Sequence, residues 1–397
     1  MAIDAVKATG DKLHRMQLPL RMITDLMGWT APERHLCARV VGAVTNTRKE
    51  PSKMQVSTIG LDLAKQVFQV HGVNAEGTVV LRRRLRRSEV VKFFTMLPGC
   101  LVGIEACATA HHWARELSTL GHEVRLIPPS YVKAYVKRGK TDAADAEAIC
   151  EAVSRPSMRF VPLKSAEQQS ALMLHRSRDL LVRQRTMLVN AVRGHFAEFG
   201  IVAPQGIRRV GELAALLIEE DATTLPALAR QALRALLAQL QALDEQITNL
   251  EAAIVVCHRD NEASRRLASI PGVGPITASA IVASVADARQ FKSARHFAAW
   301  LGLTPRSHST GGKERLGGIS KQGDPYLRRL LVTGATCVIR YARKKAPGEG
   351  EWVKALLARH PARLVSVALA NKMARIVWAL LVRGNIYRAP AVTVATT

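Results

Sequence analysis

Alternating apolar and polar positions dominate the chain from residue 56 to about residue 160. A two-residue period or a short apolar run is typical of strands, whereas apolar residues repeated every three or four positions predict helices. Strands that come first and then alternate with helices predict an α/β layer with a mixed sheet. The strands are predicted at 56–73, 78–86, 101–105 and 123–128, and the helices at 111–121 and 142–153.

The pattern becomes helical in the middle of the chain, at 165–199 and again at 225–257. Apolar residues in LPALARQALRALLAQLQALDEQITNLEAAI fall at three- and four-residue intervals, which is a coiled-coil-like pattern. A helical bundle that packs on itself and a dimer seam explain this pattern equally well. A compact C-terminal region follows residue 266, and the dense glycines of 302–323 predict a loop or a glycine-turned sheet between helices.

These changes of pattern divide the chain into four predicted parts. Residues 1–53 lack a clear period and end in TNTRKEPSK, so we expect an extension, whether disordered or preceding the native start. An α/β domain is predicted at 54–160, a helical coiled-coil region at 161–260 and a mainly α C-terminal domain at 261–390. The longest apolar stretch, 363–381, is interrupted by charged residues at helical spacing, so we predict an amphipathic helix and no membrane partner.

The charge balance points to a polyanionic partner. The 397 residues include 57 Lys and Arg against 32 Asp and Glu, a formal net charge of +25, while 48% of residues are hydrophobic and can build real cores. A globular protein this basic is expected to bind polynucleotides. The six cysteines form no C-x-x-C pair and no zinc-spaced set with histidine, so reduced thiols of a cytoplasmic protein are expected.

Four acidic residues stand out against this basic background: Asp62 and Glu105 in predicted strands, and Asp142 and Asp145 on one face of a predicted helix. Buried carboxylates repel one another and lose hydration unless a cation neutralises them. Hard cations such as Mg²⁺ prefer such oxygen ligands. We therefore predict a metal site formed by all four acids, able to assist phosphodiester cleavage. Taken singly, each acid could instead serve a helix N-terminus or a turn.

The order of these acids resembles the catalytic tetrad of RNase H-like, RuvC-type nucleases. With GLDLAKQVFQVHGV at 60–73 and GLTPRSHSTGGKERLGGISKQGDPYLRRLL at 302–331, the chain closely resembles the IS110 family of transposases, its IS1111 group in particular. The resemblance implies a RuvC-like DEDD domain at 54–160, a coiled coil after it, and a C-terminal transposase domain. It also implies that Asp62, Glu105, Asp142 and Asp145 are the catalytic, Mg²⁺-binding acids.

The resemblance further implies a serine nucleophile just before a glycine in the C-terminal domain. A gap-free placement puts Thr310 there, and a one-residue shift puts Ser309 there, which is the residue we predict. A hydroxyl on a glycine-rich loop near Arg306, Lys313 and Arg315 suits attack on a phosphate, because cations stabilise the developing charge. The alternative is that Ser309 and Thr310 only make turn hydrogen bonds.

Several other positions are candidates for nucleic-acid contact. LASIPGVGPITASAIVA has the form of a helix-hairpin-helix, whose Gly272 and Gly274 would bring backbone N–H groups to a phosphate; a plain helix corner is the alternative. Lys321, Arg328 and Arg329, near the glycine-rich loop, are expected to orient the cut strand, and Arg306, Lys313 and Arg315 are expected to contact nucleic acid beside the predicted nucleophile. The arginine run at 82–87 is either a solvated strand edge or a nucleic-acid backbone contact.

Three functions follow as hypotheses. The first is a transposase that cuts and rejoins DNA at the ends of its own insertion sequence; the resemblance adds a structured non-coding guide RNA (a bridge RNA) and a homo-oligomer, dimer or tetramer. The second is a RuvC-like structure-specific endonuclease that uses metal alone. The third is a non-enzymatic basic DNA-binding protein, which would leave four acids in a DNA-facing domain unexplained. A cytoplasmic, nucleoid-associated prokaryotic protein is expected.

Overall fold

The computed structural model describes residues 56–137, 139, 141–206, 209–217, 225–342 and 350–388. The predicted extension at 1–53 lies outside these residues.

A five-stranded mixed sheet forms the N-terminal part. Its order is β3-β2-β1-β4-β5; β1, β2 and β3 pair antiparallel, and β1, β4 and β5 pair parallel. The predicted single strand at 56–73 is wrong, because the chain turns back between β1 and β2. The other three strands and the mixed sheet are confirmed. The strands are β1 Thr58–Asp62, β2 Val67–Val73, β3 Val79–Arg86, β4 Leu101–Glu105 and β5 Glu123–Ile127.

Helices cover both faces of this sheet. One face buries a core that includes Phe68, Phe94 and Trp113 beneath α1 and α2, whereas the other packs against α4 through Ile149 and Val153. Side chains alternate between the faces along each strand, so each strand contributes to both layers. The helices are α1 Val90–Thr95, α2 Ala110–Thr119, α3 Pro129–Val132 and α4 Asp142–Val153.

Two long helices make up the middle of the chain, as the helical pattern predicts. Arg178 of α5 pairs with Glu251 of α7 at 2.6 Å, and Arg185 pairs with Asp244 at 2.8 Å, so the two helices run antiparallel. They pack on each other within one chain, which accounts for part of the apolar periodicity without a partner. The helices of this region are α5 Ala166–Ala197, α6 Val210–Ala215 and α7 Ala227–Asp260.

The C-terminal part is mainly helical, with one two-stranded hairpin, β6-β7. Its core joins the six helices α8 to α13 through buried side chains such as Phe297, Leu331 and Met373. The glycine-turned sheet expected between helices is confirmed by this hairpin. The elements are α8 Glu262–Leu267, α9 Pro275–Ser284, α10 Ala294–Trp300, β6 Pro305–Thr310, β7 Lys313–Ile319, α11 Pro325–Ala342, α12 Glu351–Leu357 and α13 Ala362–Arg383.

Helix α13 is, within the described residues, the one helix long and apolar enough to cross a membrane by length and composition. Its Val365, Met373 and Val377 are buried in the C-terminal core, while Lys372 and Arg375 are exposed. This one-sided distribution matches the amphipathic helix predicted from the sequence.

Two glycines, Gly60 in β1 and Gly103 in β4, let α4 lie directly on the sheet. A Cβ added at Gly60 would stand 2.1 Å from the carbonyl oxygen of Ala146, so we expect Gly60→Ala to lower the free energy of unfolding by about 1–3 kcal/mol. Urea unfolding would measure the change. Gly194→Ala is the matched control, because a Cβ there meets nothing within 4 Å and alanine favours its helix. Equal stability of wild type and Gly60→Ala would contradict the close packing.

Candidate active site

The four predicted acids come to one edge of the sheet. Asp62 is the last residue of β1 and Glu105 the last residue of β4. Because β1 and β4 are adjacent and parallel, with Leu61 paired to Ile104, both acids lie at the same edge. Asp62 and Glu105 are each two residues beyond a glycine that faces α4, so strand alternation directs both toward the α4 side of the sheet.

Helix α4 brings the other two acids to this edge. Gly60 and Gly103 are register partners in β1 and β4, and a Cβ at either position would collide with α4: at Gly60 with Ala146 and Cys150, and at Gly103 with Val153. The helix therefore crosses the two strands at backbone contact distance. The Cys150 thiol lies 3.8 Å from the Thr58 carbonyl and Ala146 lies over Gly60, so the first turn, which contains Asp142 and Asp145, lies toward the Asp62 end of β1.

The start of α4 is fixed by a side-chain cap. The Thr141 hydroxyl accepts a hydrogen bond from the Ala144 N–H at 3.2 Å, and the Asp145 N–H donates to the Thr141 carbonyl at 2.9 Å. Threonine is a good N-cap because its oxygen satisfies an N–H that the helix leaves unpaired. Asp142 and Asp145 are three residues apart and so lie on one helix face, where the positive end of the helix dipole favours carboxylates.

The environment of Asp62 changes the pKa of its carboxyl. Burial raises the pKa of its carboxyl, and the charges of Asp145, Asp142 and Glu105 raise it further, to about 6; a hydrogen bond from the Leu63 N–H opposes the shift. The repulsion means that the three carboxylates lie close enough to act on Asp62 electrostatically. The edge therefore favours a positive charge, whether a proton or a cation.

The donor set is of the kind that Mg²⁺ uses, since all four side chains supply hard carboxylate oxygens. Within the part of the chain that the structure describes, however, no three Asp, Glu, His or Cys side chains form a group ready to hold a metal ion. The acids share an edge without forming a closed ligand shell. Binding a cation would thus require side-chain rotation at the edge, where Asp142 is exposed and the other three acids are partly buried.

The predicted nucleophile lies on the β6-β7 hairpin. Gly311 and Gly312 form its two-residue turn with φ of 57° and 76°, the left-handed conformation that a type I′ turn requires. Every residue of β6 is exposed. Ser309 and Thr310 thus project at the tip of an exposed ribbon rather than from a loop.

Strand pairing puts Ser309 and Thr310 on opposite faces of the ribbon. Ser309 pairs with Glu314, whose carboxylate accepts a hydrogen bond from the Ser307 hydroxyl at 2.9 Å. Thr310 pairs with Lys313, and on the same face His308 pairs with Arg315. The cations expected to flank Ser309 therefore lie with Thr310, because neighbouring residues of a strand face opposite ways.

Two of the basic residues expected to hold a nucleic acid instead hold the hairpin base. The Arg306 guanidinium donates to the Ser320 carbonyl at 3.0 Å, and Arg328 donates to the carbonyls of Leu301 and Gln322 at 2.9 and 2.8 Å. Arg329 forms an ion pair with Asp179. Lys321 is exposed, at a positive φ of 55°. Lys313, Arg315 and Lys321 are the exposed members of the set whose side chains make no hydrogen bond or ion pair found among the described residues, whereas Arg306 and Arg329 are exposed but engaged.

The Pro271–Gly274 turn has a packing role at one of its two glycines. Gly272 adopts φ of 87°, and a Cβ there would stand 2.8 Å from the Gly334 carbonyl of α11, so this residue is required by the fold. Gly274 is exposed, has open space around it, and immediately precedes α9. A phosphate contact at this turn would therefore fall at Gly274 and the start of α9 rather than at Gly272.

Among the described residues, neither His111 nor His112 belongs to a group that could hold a metal ion. His111 Nδ1 accepts a hydrogen bond from the Lys164 backbone N–H at 3.3 Å, and burial, together with nearby cations, lowers its pKa to about 4. His111 thus joins α2 to the segment before α5. The cysteines that the structure describes are all free thiols.

Two family models match the chain. One, described as a transposase and named for the DEDD domain of IS110 elements, matches residues 59–201. The other, described as the transposase IS116/IS110/IS902 family, matches residues 264–348. The first match includes all four acids, and the second includes the hairpin and the Pro271–Gly274 turn.

Curated relatives match over nearly their full length. A probable family 20 transposase of Pseudomonas aeruginosa is 55% identical over 84% of this chain and 99% of its own. The transposase for insertion sequence element IS1328 of Yersinia enterocolitica is 42% identical over 84% of this chain and 98% of its own. The transposase for IS1111A of Coxiella burnetii is 41% identical over 87% and 94%, respectively.

The raised pKa of Asp62 has a consequence for stability. The folded state keeps this proton up to about pH 6, whereas the unfolded carboxyl loses it near 3.8, so stability falls as pH rises through that window. In EDTA near neutral pH, we expect Asp62→Asn to be more stable than wild type by about 1 kcal/mol, allowing for solvent screening of a half-buried group. Most of this difference should vanish near pH 4.

Urea unfolding at several pH values would measure this difference. Glu76→Gln, at an exposed acid of the β2-β3 turn, removes the same charge and should show no such advantage. A destabilised Asp62→Asn protein at neutral pH would contradict the crowding of the acids.

Proposed function

Since the chain belongs to the IS116/IS110/IS902 family of transposases, we propose that it cuts and rejoins DNA strands at the ends of its own insertion sequence by combining the acidic edge with a hydroxyl of the β6-β7 hairpin. The single observation that supports the cutting site best is the convergence of Asp62, Glu105, Asp142 and Asp145 at one edge of the sheet, where burial and the charges of the other three raise the pKa of Asp62.

The interpretation of the N-terminal part as an RNase H-like, RuvC-type domain is supported by its mixed five-stranded sheet with helices on both faces. In this interpretation the DEDD acids are Asp62 and Glu105 at strand ends and Asp142 and Asp145 on α4. We keep the boundaries 54–160, 161–260 and 261–390 as part of the proposal, with the helix-hairpin-helix centred on the Pro271–Gly274 turn.

Mg²⁺ is the proposed cofactor, held by carboxylate oxygens of Asp62, Glu105, Asp142 and Asp145. When bound, it would activate the attacking oxygen and stabilise the leaving oxygen of the phosphodiester. Other residues of the chain fix the positions of these ligands. The contacts at Gly60 and Gly103 hold α4 against the sheet, and Thr141 caps the turn that contains Asp142 and Asp145.

Ser309 is the proposed nucleophile. Its hydroxyl oxygen would attack the phosphorus and displace the deoxyribose oxygen of the neighbouring nucleotide, which takes up a proton and leaves as a free DNA hydroxyl, while the other DNA end stays joined to the serine through a phosphodiester. Glu314, the cross-strand partner of Ser309, would accept the hydroxyl proton. A DNA hydroxyl would then attack the same phosphorus and release the serine. Thr310 is the competing nucleophile, since Lys313 and Arg315 lie on its face.

An oligomer is proposed because the hairpin is an exposed ribbon that could complete the acidic site of another copy. Helix α5 also exposes Met173, Leu180 and Met187, with 64%, 47% and 70% of their surfaces accessible. Their seven-residue spacing is that of one coiled-coil seam. This stripe supports a homo-oligomer, a dimer or tetramer, built through the long helices.

DNA and a structured non-coding RNA are the proposed partners, consistent with the net charge of +25. Lys313, Arg315, Lys321 and Gly274 are the exposed candidates for contact with these partners. Arg306 and Arg328 would support this surface through their hydrogen bonds to backbone carbonyls, and Gly272 through its contact with α11. A cytoplasmic, nucleoid-associated location is proposed from this function.

Hydrolysis without a protein nucleophile is the second candidate function, favoured by the exposure of the hairpin tip and its position outside the acidic domain. The purified full chain would be incubated with labelled DNA of its element ends and Mg²⁺, with its RNA supplied. We expect a covalent protein–DNA adduct on a denaturing gel, lost in Ser309→Ala and kept in Thr310→Ala. Asp62→Asn should reduce cleavage by at least about 100-fold.

The outcomes separate the candidates. Loss of the adduct only in Thr310→Ala would move the nucleophile to Thr310. Normal cleavage by the Ser309→Ala/Thr310→Ala protein would establish hydrolysis and end the hydroxyl proposal. Wild-type cleavage by both Asp62→Asn and Glu105→Gln would exclude the acidic edge from the reaction.

Cation binding can be tested without activity. Mg²⁺ that binds the folded state and not the unfolded one raises thermal stability. We expect a rise of several degrees for the wild type in scanning calorimetry, and little or none for Asp145→Asn. Glu76→Gln should respond as the wild type does. An equal Mg²⁺ effect in the wild type and in Asp145→Asn would place the cation elsewhere.

A further inference from the structure

The arginine run on β3 divides into two sets by strand alternation. Leu81 and Leu85 are buried in the core under α1 and α2, and Arg83 lies between them in sequence, with its guanidinium 5.3 Å from the centroid of the Phe93 ring. Arg82 and Arg84 therefore face the opposite side, which is the side of α4 and of the four acids. Both are exposed.

The sheet register aligns these two arginines with the acidic edge. Arg84 pairs with Gln69, and Gln69 pairs with Asp62, so the three residues form one row across β3, β2 and β1. Neighbouring strands are about 4.8 Å apart, which puts the Arg84 backbone roughly 10 Å from that of Asp62. An extended arginine side chain can cover much of that distance.

Arg82 starts the adjacent row. It pairs with His71, which pairs with Gly60 beneath α4. His71 is 5% exposed, and its imidazole takes part in none of the side-chain hydrogen bonds found among the described residues. A buried imidazole thus lies between Arg82 and α4, available to donate or accept a hydrogen bond.

These side chains line a cavity of about 410 Å³ between β2, β3 and the first turns of α4. Arg82, Arg84 and Glu147 are its charged lining side chains, whereas Arg83 borders it from the strand between the two arginines while its guanidinium lies over the Phe93 ring on the other face. The Glu147 carboxylate is already paired with the Lys137 ammonium at 2.6 Å. Because Lys137 neutralises Glu147, Arg82 and Arg84 give the cavity a net positive charge next to the acidic edge.

We propose that this cavity, the strand-entry cavity, binds backbone phosphates of the nucleic-acid strand that leads into the acidic edge, with Arg84 on the phosphate nearer Asp62 and Arg82 on the next. Arginine suits the role because its planar fork binds two phosphate oxygens at once. Gln69 and His71 supply neutral hydrogen-bonding groups between the arginines and α4. The inference rests on the proposed function in one respect, that the bound strand is the DNA strand to be cut.

Charge removal on the two faces of β3 gives a matched comparison. The full chain would be titrated, in EDTA, into a fluorescein-labelled oligothymidylate of about 20 nucleotides, and anisotropy would be followed from about 50 to 200 mM salt. Two phosphate contacts to a single strand correspond to about 1.4 in the slope of log K against log salt. We expect Arg82→Gln/Arg84→Gln to have a slope shallower than the wild type by about that amount.

Arg83→Gln is the control, since it removes the same charge from the opposite face of the same strand. It should keep the wild-type slope, and circular dichroism melting would verify that all variants are folded. An unchanged slope in the double variant, or an equal change in Arg83→Gln, would overturn the strand-entry cavity. An oligouridylate of the same length would be titrated in parallel. If the double variant lost binding to the oligouridylate alone and still bound the oligothymidylate, the strand-entry cavity would also be overturned, because the cut strand is DNA.

The binding result is independent of strand cutting, because the measurement is made without divalent ions. If Asp62→Asn and Glu105→Gln cut like the wild type while the slope change is found, the proposed function fails and the cavity stands. If the acids are essential and the slope does not change, only the cavity is wrong.

Discussion

The contact between the α4 backbone and two adjacent strands is the constraint on which the site depends. Gly60 and Gly103 are side by side in β1 and β4, and the absence of side chains at both lets the helix lie against the strands themselves. Any larger residue would lift α4 and with it the turn that contains Asp142 and Asp145. Close packing therefore positions the acidic edge, and it keeps the carboxylates near one another despite their mutual repulsion.

Charge is separated over short distances in this protein. The N-terminal sheet concentrates carboxylates at the ends of β1 and β4, and arginines on β3, two strands away on the same face. Gln69 lies between Arg84 and Asp62 in the register of the sheet. A polyanion beside the acids would be held by the arginines, and a cation at the acids would offset their charge.

Much of the N-terminal part could be predicted from alternation and from the spacing of its acids. Each strand acid follows a glycine by two residues, as Gly60-Leu61-Asp62 and as Gly103-Ile104-Glu105, and this repeated pattern was the available signal for the helix contact. The turn between β1 and β2 was missed, because apolar residues continue through it. At the hairpin, the run at 305–319 predicted that nearby cations assist attack by the Ser309 hydroxyl. Strand pairing instead puts Lys313 and Arg315 on the face of the ribbon opposite Ser309.

The sequence by itself determined the order of strands and helices, the basic charge, the helical middle and the identity of the acids, because periodicity and composition are local properties. Only the tertiary structure decided which side chains share a face: that Arg82 and Arg84 accompany Asp62 while Arg83 does not, and that Arg306 and Arg328 hold backbone carbonyls. Those outcomes depend on strand register and helix placement, which arise from contacts between residues far apart in the chain.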